Sequence, residues 1–191
     1  MTRIVAGEWG SRRLVVPRSG VRPTSERARE AICNRLEHLS GGLSDLRVLD
    51  LFAGSGAVGL ELLSRGAASA VLVEREQAVA RILRSNVASL DASATILTID
   101  AKRLQERSWE EAFDIVFADP PYDMPLSDLA EIFGGLIQAG GIAPNGLVAA
   151  ETAKRAAGNP WPETVTALDS RHYGDTQVWY GQVSEVAAAD E

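Results

Sequence analysis

Asp50-Leu51-Phe52-Ala53-Gly54-Ser55-Gly56-Ala57-Val58-Gly59 is the stretch that decides the reading of this chain. It holds G-x-G-x-x-G between the apolar run Arg47 to Phe52, which reads as a strand, and Ala57 to Ser64, which reads as a helix stopped by Gly66. Glycines at such a corner let the backbone turn sharply and let a ligand approach the chain closely. Glu74 closes the next strand, 20 residues after Gly54. A carboxylate there can accept hydrogen bonds from both hydroxyls of a ribose. Strand, glycine turn, helix and acid together predict an adenosine-bearing ligand across the carboxyl ends of the first two strands. Asp50 selects among such ligands: it would repel a pyrophosphate but attract an ammonium or a sulfonium. S-adenosylmethionine carries both cations, so the reading moves from hydride transfer to methyl transfer. Asp100 closes the third strand, where it can accept from an adenine amino group or, equally well, cap the helix starting at Lys102.

Outward from this loop, strands and helices alternate. Ala70 to Val73, Thr95 to Ile99, Asp114 to Ala118 and Gly146 to Ala150 read as the second to fifth strands. Gln77 to Leu90, Lys102 to Trp109 and Leu126 to Ile137 read as the intervening helices. Such units imply an α/β fold with parallel strands and helices on both faces. Thr164 to Leu168 and Thr176 to Gln182 flank a turn at Tyr173-Gly174-Asp175 and predict a closing hairpin with an antiparallel strand. Upstream, residues 3–16 alternate loosely around a turn at Gly7 to Gly10 and predict a β-hairpin, joined by a Pro/Gly connector to an amphipathic helix over Ser25 to Leu39. Ala28, Ile32, Leu36 and Leu39 form the apolar stripe of that helix, with Arg27, Arg29 and Arg35 off it. The expected divisions are a basic hairpin and connector over 1–22, the main domain over 23–183 and an acidic tail over 184–191.

The fourth strand runs into Asp119-Pro120-Pro121-Tyr122. Two successive prolines freeze the backbone and remove N–H donors. The carbonyls and the Asp119 carboxylate become fixed acceptors, and Tyr122 supplies a rigid aromatic face. That is what transfer to the exocyclic amine of a base requires. Such a nitrogen is planar, with its lone pair spread into the ring, and acceptors that grip its hydrogens favour a pyramidal, nucleophilic form. Tyr122 would stack on a flipped base.

The remaining composition narrows the field. With 191 residues, 46% hydrophobic and 24% charged, the chain has ordinary globular composition and the length of one domain. No run is long and apolar enough to span a membrane, and the first residues show no secretory h-region, so the cytoplasm is the expected address. Cys33 is the only cysteine, which excludes a disulfide framework and a cysteine-cluster zinc site; its place in the amphipathic helix reads as packing rather than as a nucleophile. His38 and His172 form no ligand pair, so no metal is expected. The net charge of −7 is uneven: residues 1–40 hold eight arginines against four glutamates, whereas the rest holds 11 basic and 22 acidic residues. A basic segment on an acidic body can localise a polyanion.

With these residues in view, the chain resembles the class I S-adenosylmethionine-dependent methyltransferases of the exocyclic-amine type, and more closely the bacterial 16S ribosomal RNA guanine-N2 methyltransferase family, RsmD. Arg3-Ile4-Val5-Ala6-Gly7, Gly10-Ser11-Arg12-Arg13-Leu14, the run Arg22-Pro23-Thr24-Ser25-Glu26-Arg27-Ala28-Arg29-Glu30-Ala31, the glycine loop, Asp119 to Tyr122 and Tyr173-Gly174-Asp175-Thr176 carry the resemblance, over roughly 2–182. It implies a Rossmann-like, seven-stranded, mostly parallel sheet in the order 3-2-1-4-5-7-6, with strand 7 antiparallel and an N-terminal hairpin extension. It implies S-adenosylmethionine held by Asp50, Phe52, Ala53, Gly54, Gly56, Glu74, Arg75, Asp100 and Ala101, with Thr24 and Arg22 approaching cofactor and RNA. Asp119, Pro120, Pro121 and Tyr122 would hold the guanine. The substrate would be 16S rRNA in the small subunit or its assembly intermediate, acted on by a monomer, with Arg3, Arg12, Arg13 and Arg22 holding phosphates. Ser25-Glu26 stands where relatives often have Thr-Asp, and the acidic tail is extra; neither touches the chemistry. A DNA adenine-N6 methyltransferase uses the same four-residue motif, but this chain has no obvious target-recognition domain. A non-catalytic RNA-binding assembly factor would not need the intact motif. A dehydrogenase fits neither Asp50 nor the absence of a catalytic His or Lys beside the fourth strand.

Overall fold

The computed structural model describes residues 2–17, 25–153 and 158–185. A two-stranded ladder, β1 (Thr2–Arg3) with β2 (Arg13–Leu14), precedes helix α1 (Glu26–Ser40). Then follow β3 (Arg47–Asp50), α2 (Ala57–Ser64), β4 (Ser69–Val73), α3 (Gln77–Leu90), β5 (Ala94–Leu97), a 3-10 helix (Ala101–Glu106), β6 (Phe113–Ala118), α4 (Leu126–Gln138), β7 (Ile142–Ala153), β8 (Val165–Tyr173) and β9 (Thr176–Val183). The main sheet is ordered β5-β4-β3-β6-β7-β9-β8, and β9 is antiparallel to both neighbours. Counted from β3, this is the anticipated 3-2-1-4-5-7-6.

Strand alternation builds two cores. Val48, Leu72, Ile115 and Phe117 face α1, α2 and α3, whereas Leu49, Val73, Val116 and Ala118 face α4 and the 3-10 helix. β3, β4 and β6 are therefore apolar on both faces, as the covered middle of a parallel sheet demands. The segment from Lys102 winds more tightly than the expected α-helix and ends at Glu106; Trp109 lies beyond it, edge-on to Phe113 with ring centroids 5.1 Å apart. Strand β7 is longer than its apolar run, because a bulge near Phe113 and Ile115 admits residues 142–146 to the sheet.

Arg29 corrects the expected helix face. Ser25 caps α1 through its side chain and Gly41 ends it at φ 72°, but the buried side is Arg29, Ile32, Cys33 and Leu36. The Arg29 side chain is 1% exposed. Its guanidinium donates to Thr2 Oγ1 at 2.9 Å and to the Arg3 carbonyl, and its Nε lies 3.7 Å from Glu61 Oε2. Glu61, on α2, is fully buried and also accepts from the amides of Val5 (2.7 Å) and Ala6 (3.0 Å) and from Arg65 Nε (3.0 Å). Beside this cluster, the Cys33 thiol is pushed far above its ordinary pKa by burial, which makes it an inert packing group. A helical stripe of apolar residues cannot reveal that an arginine faces inward when its partner lies 32 positions away.

The hairpin is thus sewn onto the sheet. Ile4 and Leu14 are buried in the α1–α2–α3 core. Gly7 sits at φ +80° against α2, where a Cβ would stand 1.8 Å from the Ser64 carbonyl oxygen. The Asn86 amide is buried; its Oδ1 accepts from Val15 N–H, and its Nδ2 donates to the Val15 and Ser55 carbonyls, all at 2.9 Å. One side chain therefore ties the end of the hairpin to the glycine loop. Replacing Glu61 by Ala would leave two amides and the Arg65 Nε without their shared acceptor and the buried Arg29 without its counter-charge. We expect a loss of about 3–5 kcal/mol in unfolding free energy, read from urea denaturation; an unchanged midpoint would show the carboxylate to be dispensable.

Candidate functional site

The carboxyl ends of β3, β4, β6 and β7 converge on one edge, where doubly wound sheets bind ligands. Asp50 ends β3 and is 2% exposed. Its Oδ2 accepts from Gly59 N–H at 3.1 Å, satisfying an amide in the first turn of α2. Its Oδ1 is buried without a well-formed hydrogen bond. Burial pushes the carboxyl pKa up to about 7, against the pull of the Gly59 and Phe52 amides, which favour the charged form. Gly59 permits this contact: a Cβ there would meet Leu72 Cδ2 at 2.3 Å, so only a bare Cα lets α2 lie this close to the sheet.

Glu74 follows β4. Its Oε2 accepts from Gly54 N–H at 3.1 Å and its Oε1 from Glu76 N–H at 2.7 Å. The carboxylate is therefore clamped by backbone amides, with lone pairs left for a ligand. Asp100 Oδ1 accepts from Lys102 N–H at 2.9 Å and caps the 3-10 helix, while its Oδ2 lies 3.8 Å from Arg75. The capping reading is thus realised, and Asp100 still borders the site. Phe52, Gly54, Glu74, Arg75, Asp100 and Ala101 line one cleft of about 820 Å³, whose far wall is Asp119 to Tyr122. Asp50 and Ala53 border an adjoining cavity of about 100 Å³ that shares Phe52, Gly54 and Asp119 with the cleft. Gly56 lines neither; it turns the chain at φ 85° and packs against Leu60 and Leu83.

A second pocket, of about 350 Å³, lies on the other side of the diproline corner. Asp119, Pro120, Pro121, Tyr122 and Met124 line both it and the larger cleft. Its remaining walls are Pro125, Leu126 and Leu129 from the start of α4, and Glu151, Thr152 and Ala153 from the end of β7. Met124 N–H donates to the Pro121 carbonyl at 2.9 Å and closes the turn, so the Pro120 carbonyl is the one outside that bond. Tyr122 is 49% exposed, an aromatic face held open to solvent. The walls of this pocket come from segments some 30 residues apart, so Glu151 and Thr152 carried no signal beyond their place at a strand end.

Of the basic residues, Arg3 and Arg13 stand directly opposite one another in the β1–β2 ladder and both are exposed. Arg3 also pairs with Glu26 at 3.1 Å, and Arg12 donates to the Ser89 carbonyl at 2.6 Å. Arg22 and Thr24 lie outside the described residues. Among the described residues no helix is long and apolar enough to cross a membrane.

The donor set suits S-adenosylmethionine: a buried carboxylate oxygen lacking a partner for a cationic group, an amide-clamped carboxylate for a ribose, and an open cleft between them. Comparison with known proteins agrees. The family model described as "Conserved hypothetical protein 95" matches residues 2–182. Ribosomal RNA small subunit methyltransferase D of Escherichia coli (strain K12) is 40% identical over 152 residues, 78% of this chain and 74% of that protein. The protein of the same name from Haemophilus influenzae is 35% identical over 157 residues, 80% of this chain and 79% of that one. A solved structure of a putative methyltransferase from Escherichia coli superposes with a TM-score of 0.84 at 33% identity, covering 95% of this chain and 97% of its own. The fold is that of the class I methyltransferases and the cofactor is S-adenosylmethionine. The chain therefore belongs to the Conserved hypothetical protein 95 family, together with the enzymes called ribosomal RNA small subunit methyltransferase D.

Proposed function

We propose that this protein methylates the exocyclic N2 amine of one guanine in 16S rRNA, within the small ribosomal subunit or its assembly intermediate, as a cytoplasmic monomer. The observation that carries the reading is the shared wall: the same four residues, Asp119 to Tyr122, border a cofactor-sized cleft on one side and a base-sized pocket on the other. Both volumes fall in the range of roughly 300–1,000 Å³ usual for small-molecule sites. The names of the relatives supply the class of RNA.

When bound, S-adenosylmethionine supplies an electrophilic methyl carbon beside this wall. Asp50 and Glu74 hold its cationic and ribose portions, with Phe52, Ala53, Gly54, Gly56, Arg75, Asp100 and Ala101 shaping or bordering the site. On the other side, the Asp119 carboxylate and the Pro120 carbonyl accept the two N–H bonds of the target amine, which localises its lone pair. The proton becomes acidic only as the new bond forms, so no strong base is needed. Tyr122 stacks on the flipped base, at about 1–3 kcal/mol. Arg3 and Arg13 stand side by side and exposed, Arg3 against Glu26, and present two guanidinium groups on one face to a phosphate. Arg12 is exposed beside them, and Arg22 is expected to add a further phosphate contact.

Undermethylated small subunits and duplex DNA, each incubated with labelled cofactor and mapped by nucleoside mass spectrometry, test the reading. N2-methylguanosine in the subunits is expected; N6-methyladenine in DNA would replace it with the rival activity. Asp119→Ala should abolish transfer, and unchanged methylation would favour a non-catalytic assembly factor. Arg3→Glu with Arg13→Glu should weaken subunit binding and lower its salt slope by about two, with cofactor affinity by calorimetry unchanged.

The Asp50 carboxyl also sets a pH dependence. Its pKa is raised to about 7, so the empty site is protonated in mild acid, and pairing with an ammonium requires loss of that proton. Between pH 7 and pH 5 the cofactor dissociation constant should rise by up to about tenfold per unit. The same shift makes the empty protein more stable as pH falls from 7 towards 4, because the folded state then binds the extra proton. Asp50→Asn should flatten both profiles, measured by calorimetry and thermal unfolding.

A further inference from the structure

We infer that Glu151 is the residue that selects guanine, by accepting the ring N1–H next to the methylated amine. The inference rests on the base pocket proposed above and names what reads the base within it. Ala118 of β6 pairs with Ala150 of β7, so the next residues on these parallel strands are Asp119 and Glu151. Neighbouring strands lie about 4.8 Å apart, and laterally paired residues face the same side. Two carboxylates thus stand side by side at the mouth of one pocket, and both line it. Glu151 is 4% exposed, unlike an ordinary surface acid. Each carboxylate already has an interaction within the protein, but about four acceptor sites per carboxylate leave room for a base.

The chemistry of the bases does the rest. Three bases carry an exocyclic amine. In adenine and cytosine, the ring nitrogen beside that amine is an acceptor. In guanine, N2 stands between two ring nitrogens, and the one on its Watson–Crick side is a donor, N1–H, whereas N3 on the other side is an acceptor. A pair of adjacent acceptors therefore meets two adjacent donors only when the base is guanine. Adenine or cytosine would set a lone pair against the Glu151 carboxylate, and the apolar walls Met124, Leu126 and Leu129 supply no side-chain donor to offset it. The neighbouring Thr152 is already engaged, since its Oγ1 accepts from Trp179 Nε1 at 3.0 Å and donates to the Gln177 carbonyl at 3.5 Å. Asp119 is then the activating acceptor and Glu151 the discriminating one. This assignment also explains how one short motif serves different amines: the motif grips any NH₂, and the strand beside it chooses the ring.

The test uses small subunits reconstituted with 16S rRNA that carries, at the mapped target, either guanine or 2,6-diaminopurine. Diaminopurine keeps the 2-amino group but has a bare N1 acceptor. The wild-type protein should prefer guanine by roughly ten- to hundredfold in kcat/KM, the range for one well-formed base contact. Glu151→Gln, whose amide can donate to N1, should lose activity on guanine and shift the preference towards diaminopurine, with cofactor affinity and melting temperature unchanged. A merely structural Glu151 would lower both substrates alike. Equal use of both bases by the wild-type protein, or an unshifted ratio in Glu151→Gln, overturns the inference. Should Glu151→Gln fail to fold, the wild-type ratio alone decides. Absence of any N2-methylguanosine with the guanine substrate would instead bring down the underlying reading of the function.

Discussion

A carboxylate without water must find its donors inside the protein, and Glu61 finds three, two amides from the N-terminal segment and the guanidinium of Arg65 at the end of α2, with the Arg29 guanidinium of α1 as a further ion-pair partner at 3.7 Å. Taking these charges out of water costs several kcal/mol per ion before their mutual attraction is counted. The arrangement holds because both oxygens are occupied and because Arg65 is further tied to Asn34 and Glu37. Its effect is geometric. The hairpin, α1 and α2 can meet in only one register, and α2 is also the helix whose first turn is capped by Asp50. The positions of Arg3 and Arg13 and that of the buried Asp50 carboxylate are therefore set by the same eight-residue helix.

The site illustrates how a sheet edge distributes work. Successive strands each end in an acid or carry one just beyond: Asp50, Glu74, Asp119 and, within the longer β7, Glu151. Their environments differ, and with them their properties. Asp50 is buried and short of donors, which raises its pKa. Glu74 is clamped by two amides. Asp119 is fixed by the prolines that follow it. Similar chemistry at each strand end becomes different function through burial and backbone contact.

What could be read from the sequence was what is contiguous. The glycine loop, the diproline corner and the alternation of apolar strands with amphipathic helices are local patterns, and each sits where local rules place it, α2 and α3 to the residue. The resemblance of the whole chain added the strand order. Hidden were the contacts between distant segments. Arg29 looked like a solvated charge because its partner Glu61 is in another helix. Asn86 gave no hint that it bridges Val15 and Ser55. Glu151 looked like the end of an apolar strand, since only the fold sets it beside Asp119. Polar groups in a core are specified by three-dimensional complementarity, and periodicity is blind to that.

The order of strands has a further bearing on how the molecule comes into being. Strand β9, which follows β7 and β8 in the chain, is not at an edge: it is inserted between them. A nascent chain lacking Thr176–Val183 leaves β7 with an open rim of unpaired amides and carbonyls, at the strand that carries Glu151. Ribosomal synthesis must therefore pass residue 183 before the sheet can close, and translation cut short upstream of it yields a chain prone to sticking to its own kind.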